Sequence, residues 1–171
     1  MRIIAGLGKG RKLVSPPDVT RPTSDRAREG LFSSLISTLG TLKEKNFLDL
    51  FAGSGAVGVE ALSRGALLVE AVESDPKSAK VCEQNFNLIA GLESIGKFAV
   101  YNQTCFEFLN HSVNKSYGII FLDPPYDLFG DCYWSGDLGF QDSYKSVGSL
   151  FTSHFWIYRF TTYRCINSWR R

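Results

Sequence analysis

The chain has 171 residues, 44% apolar and 21% charged, with a formal net charge of +2. That composition suits a globular domain of ordinary size and argues against a disordered chain. No apolar run reaches membrane-spanning length, and residues 1–6 lack the apolar core and cleavage site of a secretory signal, so a cytoplasmic protein is expected. The four cysteines (Cys82, Cys105, Cys132, Cys165) lie 23, 27 and 33 residues apart, and only two histidines accompany them. Neither a metal site nor a disulfide framework is expected from that spacing, and reduced thiols are the default. Charge is unevenly placed. Residues 1–30 carry seven Lys/Arg against three Asp/Glu, residues 31–150 eight against fourteen, and residues 151–171 four arginines and no acid. A basic arm on an acidic middle suggests a polyanionic partner, although a solvated face would have the same composition.

In chain order, residues 2–14 read as a short hairpin around the glycine-rich turn 6–10. Pro16, Pro17 and Pro22 make the next stretch irregular. A helix is predicted over 24–39, with Ala27, Leu31, Leu35 and Leu39 on one face, Ser24 or Asp25 as cap and Gly40 as stop. Strand 46–51 and a helix over 53–64 ending at Gly65 come next, then strand 67–72. A helix opens at Asp75-Pro76, where proline fits the first helical position. Residues 97–101 are a weaker strand, and 117–122 an apolar one buried on both faces. Strands alternating with helices predict an α/β fold with a mostly parallel sheet, preceded by the N-terminal hairpin and helix. After Tyr126 the rhythm is lost: residues 129–171 hold 12 of the 23 aromatics, with 154–160 as one candidate strand. The organisation expected is a single domain in three stretches: 1–40 (basic hairpin and helix), 41–128 (core) and 129–171 (divergent tail, its strands aberrant).

Two constellations carry chemistry. Gly53-Ser54-Gly55-Ala56-Val57-Gly58 follows the first strand and opens a helix, and Glu73 ends the second strand 20 residues after Gly53. Such glycines permit a tight turn and close ligand approach, and such an acid can take the hydroxyls of a ribose. Asp49 selects among nucleoside ligands. A pyrophosphate is repelled by a carboxylate beside its glycine loop, whereas the ammonium and sulfonium of S-adenosylmethionine are attracted. The second constellation is Asp123-Pro124-Pro125-Tyr126, directly after the fourth predicted strand. Ligands bind at the carboxyl ends of strands in open parallel sheets, so both motifs should share one crevice. Asp123 and the Pro124 carbonyl are two acceptors for the two hydrogens of an exocyclic amine, the prolines stiffen the turn, and Tyr126 offers a face for base stacking.

Together these motifs resemble those of class I S-adenosylmethionine-dependent amino-methyltransferases, with their Rossmann-like sheet. Residues 1–6, 9–13 and Arg21-Pro22-Thr23-Ser24-Asp25-Arg26 narrow the resemblance, as do Arg28-Glu29 and Leu31-Phe32. With Glu60-Ala61-Leu62-Ser63-Arg64-Gly65-Ala66 and Phe121-Leu122-Asp123-Pro124-Pro125-Tyr126, the chain resembles the bacterial 16S rRNA guanine-N2 methyltransferase family over residues 1–127. The resemblance implies methylation of a guanine N2 in small-subunit rRNA, free or in a pre-ribosomal particle, by a monomer that needs neither metal nor membrane. Its expected cofactor-binding residues are Asp49, Phe51, Ala52, Gly53, Ser54, Gly55, Glu73, Ser74 and Thr104. Its expected catalytic residues are Asp123, Pro124, Pro125 and Tyr126. Lys9, Arg11, Lys12, Arg21, Arg26 and Arg28 are the candidates for phosphate contacts. Two stretches depart from the family: Asn102-Gln103-Thr104 stands where an acid usually meets the adenine, and residues 130–171 do not resemble the family's ending. Two other readings stay open: a DNA adenine-N6 or cytosine-N4 methyltransferase, and a non-catalytic RNA-binding or ribosome-assembly protein with a degenerate pocket.

Overall fold

A strand order that reverses at the first strand organises the molecule. In this computed structural model, residues 1–15, 24–111 and 116–124 are described, with the backbone of 156–159. The expectations for Arg21, Pro125 and Tyr126, and for most of the tail, lie outside these residues. The elements are α1 (Asp25–Leu39), β1 (Asn46–Asp49), α2 (Ala56–Ser63), β2 (Leu68–Val72), α3 (Pro76–Asn87), β3 (Lys97–Tyr101), α4 (Cys105–His111), β4 (Ile119–Leu122) and β5 (Trp156–Arg159). The sheet runs β3-β2-β1-β4-β5. The first four strands are parallel and β5 is antiparallel to β4. The expected mostly parallel α/β sheet is present, and a strand forms within 154–160.

Alternation along the strands builds two cores. Phe47, Val69, Ile119 and Phe121 face one way, against Leu31, Phe32 and Leu35 of α1, Val59 and Leu62 of α2 and Phe86 of α3. Leu48, Leu50, Val72, Ile120 and Leu122 face the other, with Phe108 of α4 and Tyr117. Each such side chain contributes about 1.5–3 kcal/mol on burial, and the sheet is apolar on both faces because helices cover both. The Arg64 guanidinium lies 4.9 Å from the centre of the Phe32 ring, closing one end of the first core.

Local chemistry sets the element ends. The Ser24 hydroxyl accepts from the Ala27 N–H at 3.2 Å and starts α1. Gly40, at φ 74°, ends it with an N–H donated to the Ile36 carbonyl at 2.8 Å. Asp75 accepts from the Ser78 N–H at 2.8 Å, with Pro76 opening α3. Two features differ from expectation. The helix predicted from residue 53 begins at Ala56, because Gly53 and Gly55 adopt φ of 52° and 75°. Helix α4 was not read from the sequence. Its signal is the capping box Thr104-Cys105-Phe106-Glu107, in which Glu107 accepts from the Thr104 N–H and Thr104 from the Glu107 N–H. The expected hairpin is present and short: Arg2 bridges Lys12, the Ile3 N–H donates to the Arg11 carbonyl at 3.0 Å, the Leu13 N–H to the Met1 carbonyl at 3.1 Å and the Gly10 N–H to the Ile3 carbonyl at 2.9 Å.

The hairpin is anchored on α2. Glu60, wholly buried, accepts from the Ile4 and Ala5 N–H groups at 2.8 and 3.0 Å. Glu60 also pairs with Arg64 at 2.7 Å. One turn on, the Ser63 hydroxyl donates to the Ala5 carbonyl at 2.6 Å and accepts from the Gly8 N–H at 2.9 Å. Gly6 passes so close that a Cβ there would lie 1.8 Å from the Ser63 carbonyl oxygen. Asn85 of α3 completes the strap. Its carboxamide oxygen accepts from the Val14 N–H at 2.8 Å, and its nitrogen donates to the Val14 and Ser54 carbonyls at 2.9 and 2.8 Å. Asn85→Ala removes all three bonds at a fully buried position. It should lower unfolding stability by about 2–3 kcal/mol in urea titrations, because the groups left behind lose their partners.

Candidate active site

At the carboxyl edge of the sheet, β1 hands its chain to both neighbours. The Leu50 N–H donates to the Phe121 carbonyl of β4 at 3.1 Å, and the Ala52 N–H to the Val72 carbonyl of β2 at 2.9 Å. In open parallel sheets the ligand crevice lies at such a parting, where strand order reverses. Gly53, Glu73 and Asp123 therefore lie on one edge, at the ends of three adjacent strands.

The three glycines have separate tasks. A Cβ on Gly53 would meet nothing within 4 Å, so its backbone is open to an approaching ligand. Gly55 caps α2 in the left-handed region, and a Cβ there would lie 2.6 Å from the Cys82 sulfur. A Cβ on Gly58 would lie 2.8 Å from the Phe86 ring and 3.1 Å from Val69, so this glycine lets α2 approach the sheet and α3. Glu73 anchors the loop: its two oxygens accept from the Gly53 and Asp75 N–H groups at 2.7 and 2.8 Å. Each oxygen has a further lone pair, so these bonds orient the half-buried carboxylate without exhausting it. Asn102 braces the same turn, donating to the Glu73 and Ser74 carbonyls at 2.9 and 3.0 Å.

Asp49 ends β1 beneath the loop. It is 1% exposed, and neither carboxylate oxygen has a hydrogen-bond partner. Burial pushes its carboxyl up to about 8, and the charges of Asp123 and Glu73 push the same way; the amides of Phe51 and Gly58 pull it back only partly. Asp123 is half-buried and Pro124 buried, immediately after β4. Around the loop, Phe51 packs on the second core, Ala52 and Ser54 are buried, and Ser74 is exposed. Among the described residues, no three acid, thiol or imidazole groups are grouped as metal ligands.

Two expected residues are otherwise engaged. The Thr104 hydroxyl donates to Glu107 at 2.8 Å and accepts from the Glu107 N–H, so it caps α4 rather than waiting for an adenine edge. Arg28 is fully buried, donating to Asp25 at 2.7 Å and to the Arg2 carbonyl at 2.5 Å. Enclosed in this way, it ties α1 to the N-terminal segment and does not reach a phosphate. Lys9, Arg11, Lys12 and Arg26 are exposed, with Arg11 also donating to the Leu88 carbonyl at 2.5 Å. Asn85 and Asn102 were not read as site residues. The only sequence sign of Asn85 is an amide beside the apolar face of α3, while Asn102 stands in the segment assigned to the adenine.

An open parallel sheet with a glycine bend after β1 and an acid after β4 on the same edge defines a Rossmann-like methyltransferase fold. The chain belongs to the family described as "Conserved hypothetical protein 95", whose model matches residues 1–131. It is 40% identical over 128 residues to "Ribosomal RNA small subunit methyltransferase D" of Haemophilus influenzae, covering 74% of this chain and 64% of that protein. The protein of the same name from Escherichia coli is 39% identical over 127 residues, covering 74% and 60%. The solved structure of "Putative methyltransferase yhhF" from Escherichia coli superposes with a TM-score of 0.60 at 36% identity, covering 73% of this chain and 64% of that one. The chain thus spans less than two thirds of the length of these relatives.

The glycine geometry separates two substitutions. Gly55→Ala combines a left-handed φ with a clash against Cys82 and should cost about 2–4 kcal/mol in chemical denaturation; Gly53→Ala, strained but unobstructed, should cost about 1 kcal/mol.

Proposed function

We propose that this chain transfers a methyl group from S-adenosylmethionine to the exocyclic N2 of a guanine in small-subunit rRNA. One observation carries the reading: an orphaned, buried carboxyl at Asp49 lies under an open glycine backbone at Gly53, in the same crevice as Asp123-Pro124. The names of the relatives support the rRNA substrate, and the family resemblance the guanine N2.

The donor set fits this cofactor. Asp49 has both oxygens available for an ammonium, Glu73 has lone pairs for ribose hydroxyls, and Gly53 leaves room for a ligand to pass close. When bound, the cofactor supplies a methyl group on a sulfonium, already a good leaving group. The chain's remaining task is to position the acceptor. The Asp123 carboxylate and the Pro124 carbonyl accept the two amine hydrogens and turn the nitrogen lone pair toward the methyl. These bonds strengthen as the nitrogen gains positive charge, which favours the transition state over the ground state. Positioning of this kind supplies roughly 7–11 kcal/mol in favourable cases. Pro125 and Tyr126 follow in sequence, and Tyr126 is assigned the stacking face. The guanine must leave its stack to enter the crevice, and an rRNA loop makes that less costly than a duplex. Lys9, Arg11, Lys12 and Arg26 supply the phosphate contacts, on a monomer acting in the cytoplasm on free or pre-ribosomal RNA.

The direct test is transfer of labelled methyl to undermethylated small-subunit rRNA, followed by mapping of the modified base. Label at a guanine N2 is expected; label on DNA adenine or cytosine, or binding of RNA without transfer, would overturn the reading. Asp123→Ala should reduce single-turnover rate roughly 10²–10³-fold while leaving cofactor affinity nearly unchanged. Parallel loss of both would deny Asp123 its part in the transition state. RNA affinity should fall with salt at a log–log slope of about −3, as four phosphate contacts on single-stranded RNA require.

A further inference from the structure

The fold treats its buried acids unequally. Glu60 receives two backbone N–H groups and Arg64. Glu70, 3% exposed, receives the hydroxyls of Tyr101 and Tyr117. Asp49 receives no hydrogen bond, and among the described residues it is the only buried carboxyl so left. The groups that bear on it are Glu73 after β2, Asp123 after β4, Cys82 on α3 and the amides of Phe51 and Gly58. Two of these are acids, one is a thiol that burial keeps protonated, and none is a cation. A carboxylate with only the pull of two amides and, among the described residues, no counter-charge is strongly disfavoured in such a place, whereas its neutral acid is tolerated.

We infer that Asp49 is a proton-exchange site: the ligand-free chain holds it as a neutral acid, and the ammonium of the incoming ligand takes the place of its proton. The inference rests on the cofactor reading above. In the exchange the carboxyl O–H bond breaks and the proton passes to solvent. The ammonium keeps its three hydrogens and donates to the new carboxylate. One buried neutral group thus becomes one buried ion pair, and the crevice never holds an unpaired third negative charge. Ligand capture is therefore linked to pH. Between pH 6 and 8 the affinity of an ammonium-bearing ligand should rise toward tenfold per pH unit, and flatten above the carboxyl's value of about 8.

Calorimetry on the full chain with S-adenosylhomocysteine tests this, at pH 6.5 in two buffers of different ionisation heat. The expected result is release of close to one proton per ligand bound, falling toward none by pH 9. 5′-Methylthioadenosine, which keeps the ribose and base but lacks the ammonium, should bind without release. Asp49→Asn, which mimics the neutral acid, should bind S-adenosylhomocysteine more weakly, with no release and no pH slope. Binding to the parent chain with equal heats in both buffers would overturn the exchange and leave the cofactor reading intact. No binding of either nucleoside at any pH would overturn both. A ligand-free measurement stands beside these. A carboxyl whose folded value is raised stabilises fully below its unfolded value of 3.8 and loses that contribution as pH rises through about 8. The melting temperature of the parent chain should therefore fall relative to that of Asp49→Asn across this window; parallel melting profiles would contradict the neutral acid.

Discussion

The parting of the chain at the end of β1 is the constraint from which the rest follows. Leu50 still bonds to β4 and Ala52 already bonds to β2, so the backbone between and after them must rise out of the sheet plane. Asp49 is the last residue in register with both neighbours. Alternation turns it to the side that α2 and α3 cover. The acid is thus buried by topology, under a loop whose glycines cannot offer side-chain donors. Its high proton affinity is a property of the crossover as much as of the residue.

Around that point the polar groups divide into those bonded within the fold and those with hydrogen-bonding capacity left over. Glu60, Ser63 and Asn85 belong to the first kind: each is nearly or fully buried, and each satisfies backbone groups of residues 4–14. Glu73 belongs to both. It fixes the Gly53 and Asp75 amides and keeps lone pairs in reserve. Asp49 belongs wholly to the second. On the function proposed above, such a site loses little to reorganisation on binding, because the loop is already bonded in position.

Much of this was legible in the sequence where one physical requirement dominates. Strands β1, β2 and β4 announce themselves as apolar runs because both faces are covered, whereas the edge strand β3, only half-buried, reads more weakly. Ser24, Gly40 and Asp75-Pro76 mark helix ends because those residue types satisfy exposed backbone groups or the required φ. Glu73 and Asp123 were found because their positions after strands are fixed by the architecture. What escaped depends on contacts distant in sequence. Arg28 reads as one more basic residue on an exposed helix start, and only the return of Arg2 and the packing of α1 enclose it. Thr104 reads as a free hydroxyl until Glu107 is seen to be three residues on and helical. The hairpin is legible in its turn glycines, but nothing local reveals that Glu60, more than 50 residues away, takes the N–H groups of Ile4 and Ala5.

The strap across α2 and α3 also governs how this molecule can be recombined. Residues 1–14 are not an appendage that ends at a linker; they borrow acceptors from Glu60 and Ser63 and share the Asn85 amide with Ser54. A chimera that exchanges the basic arm for that of a distant homologue inherits its mates only if positions 60, 63 and 85 travel with it. Transplanting residues 1–14 alone breaks these bonds, and the smallest graftable unit includes α2 and α3 beneath them.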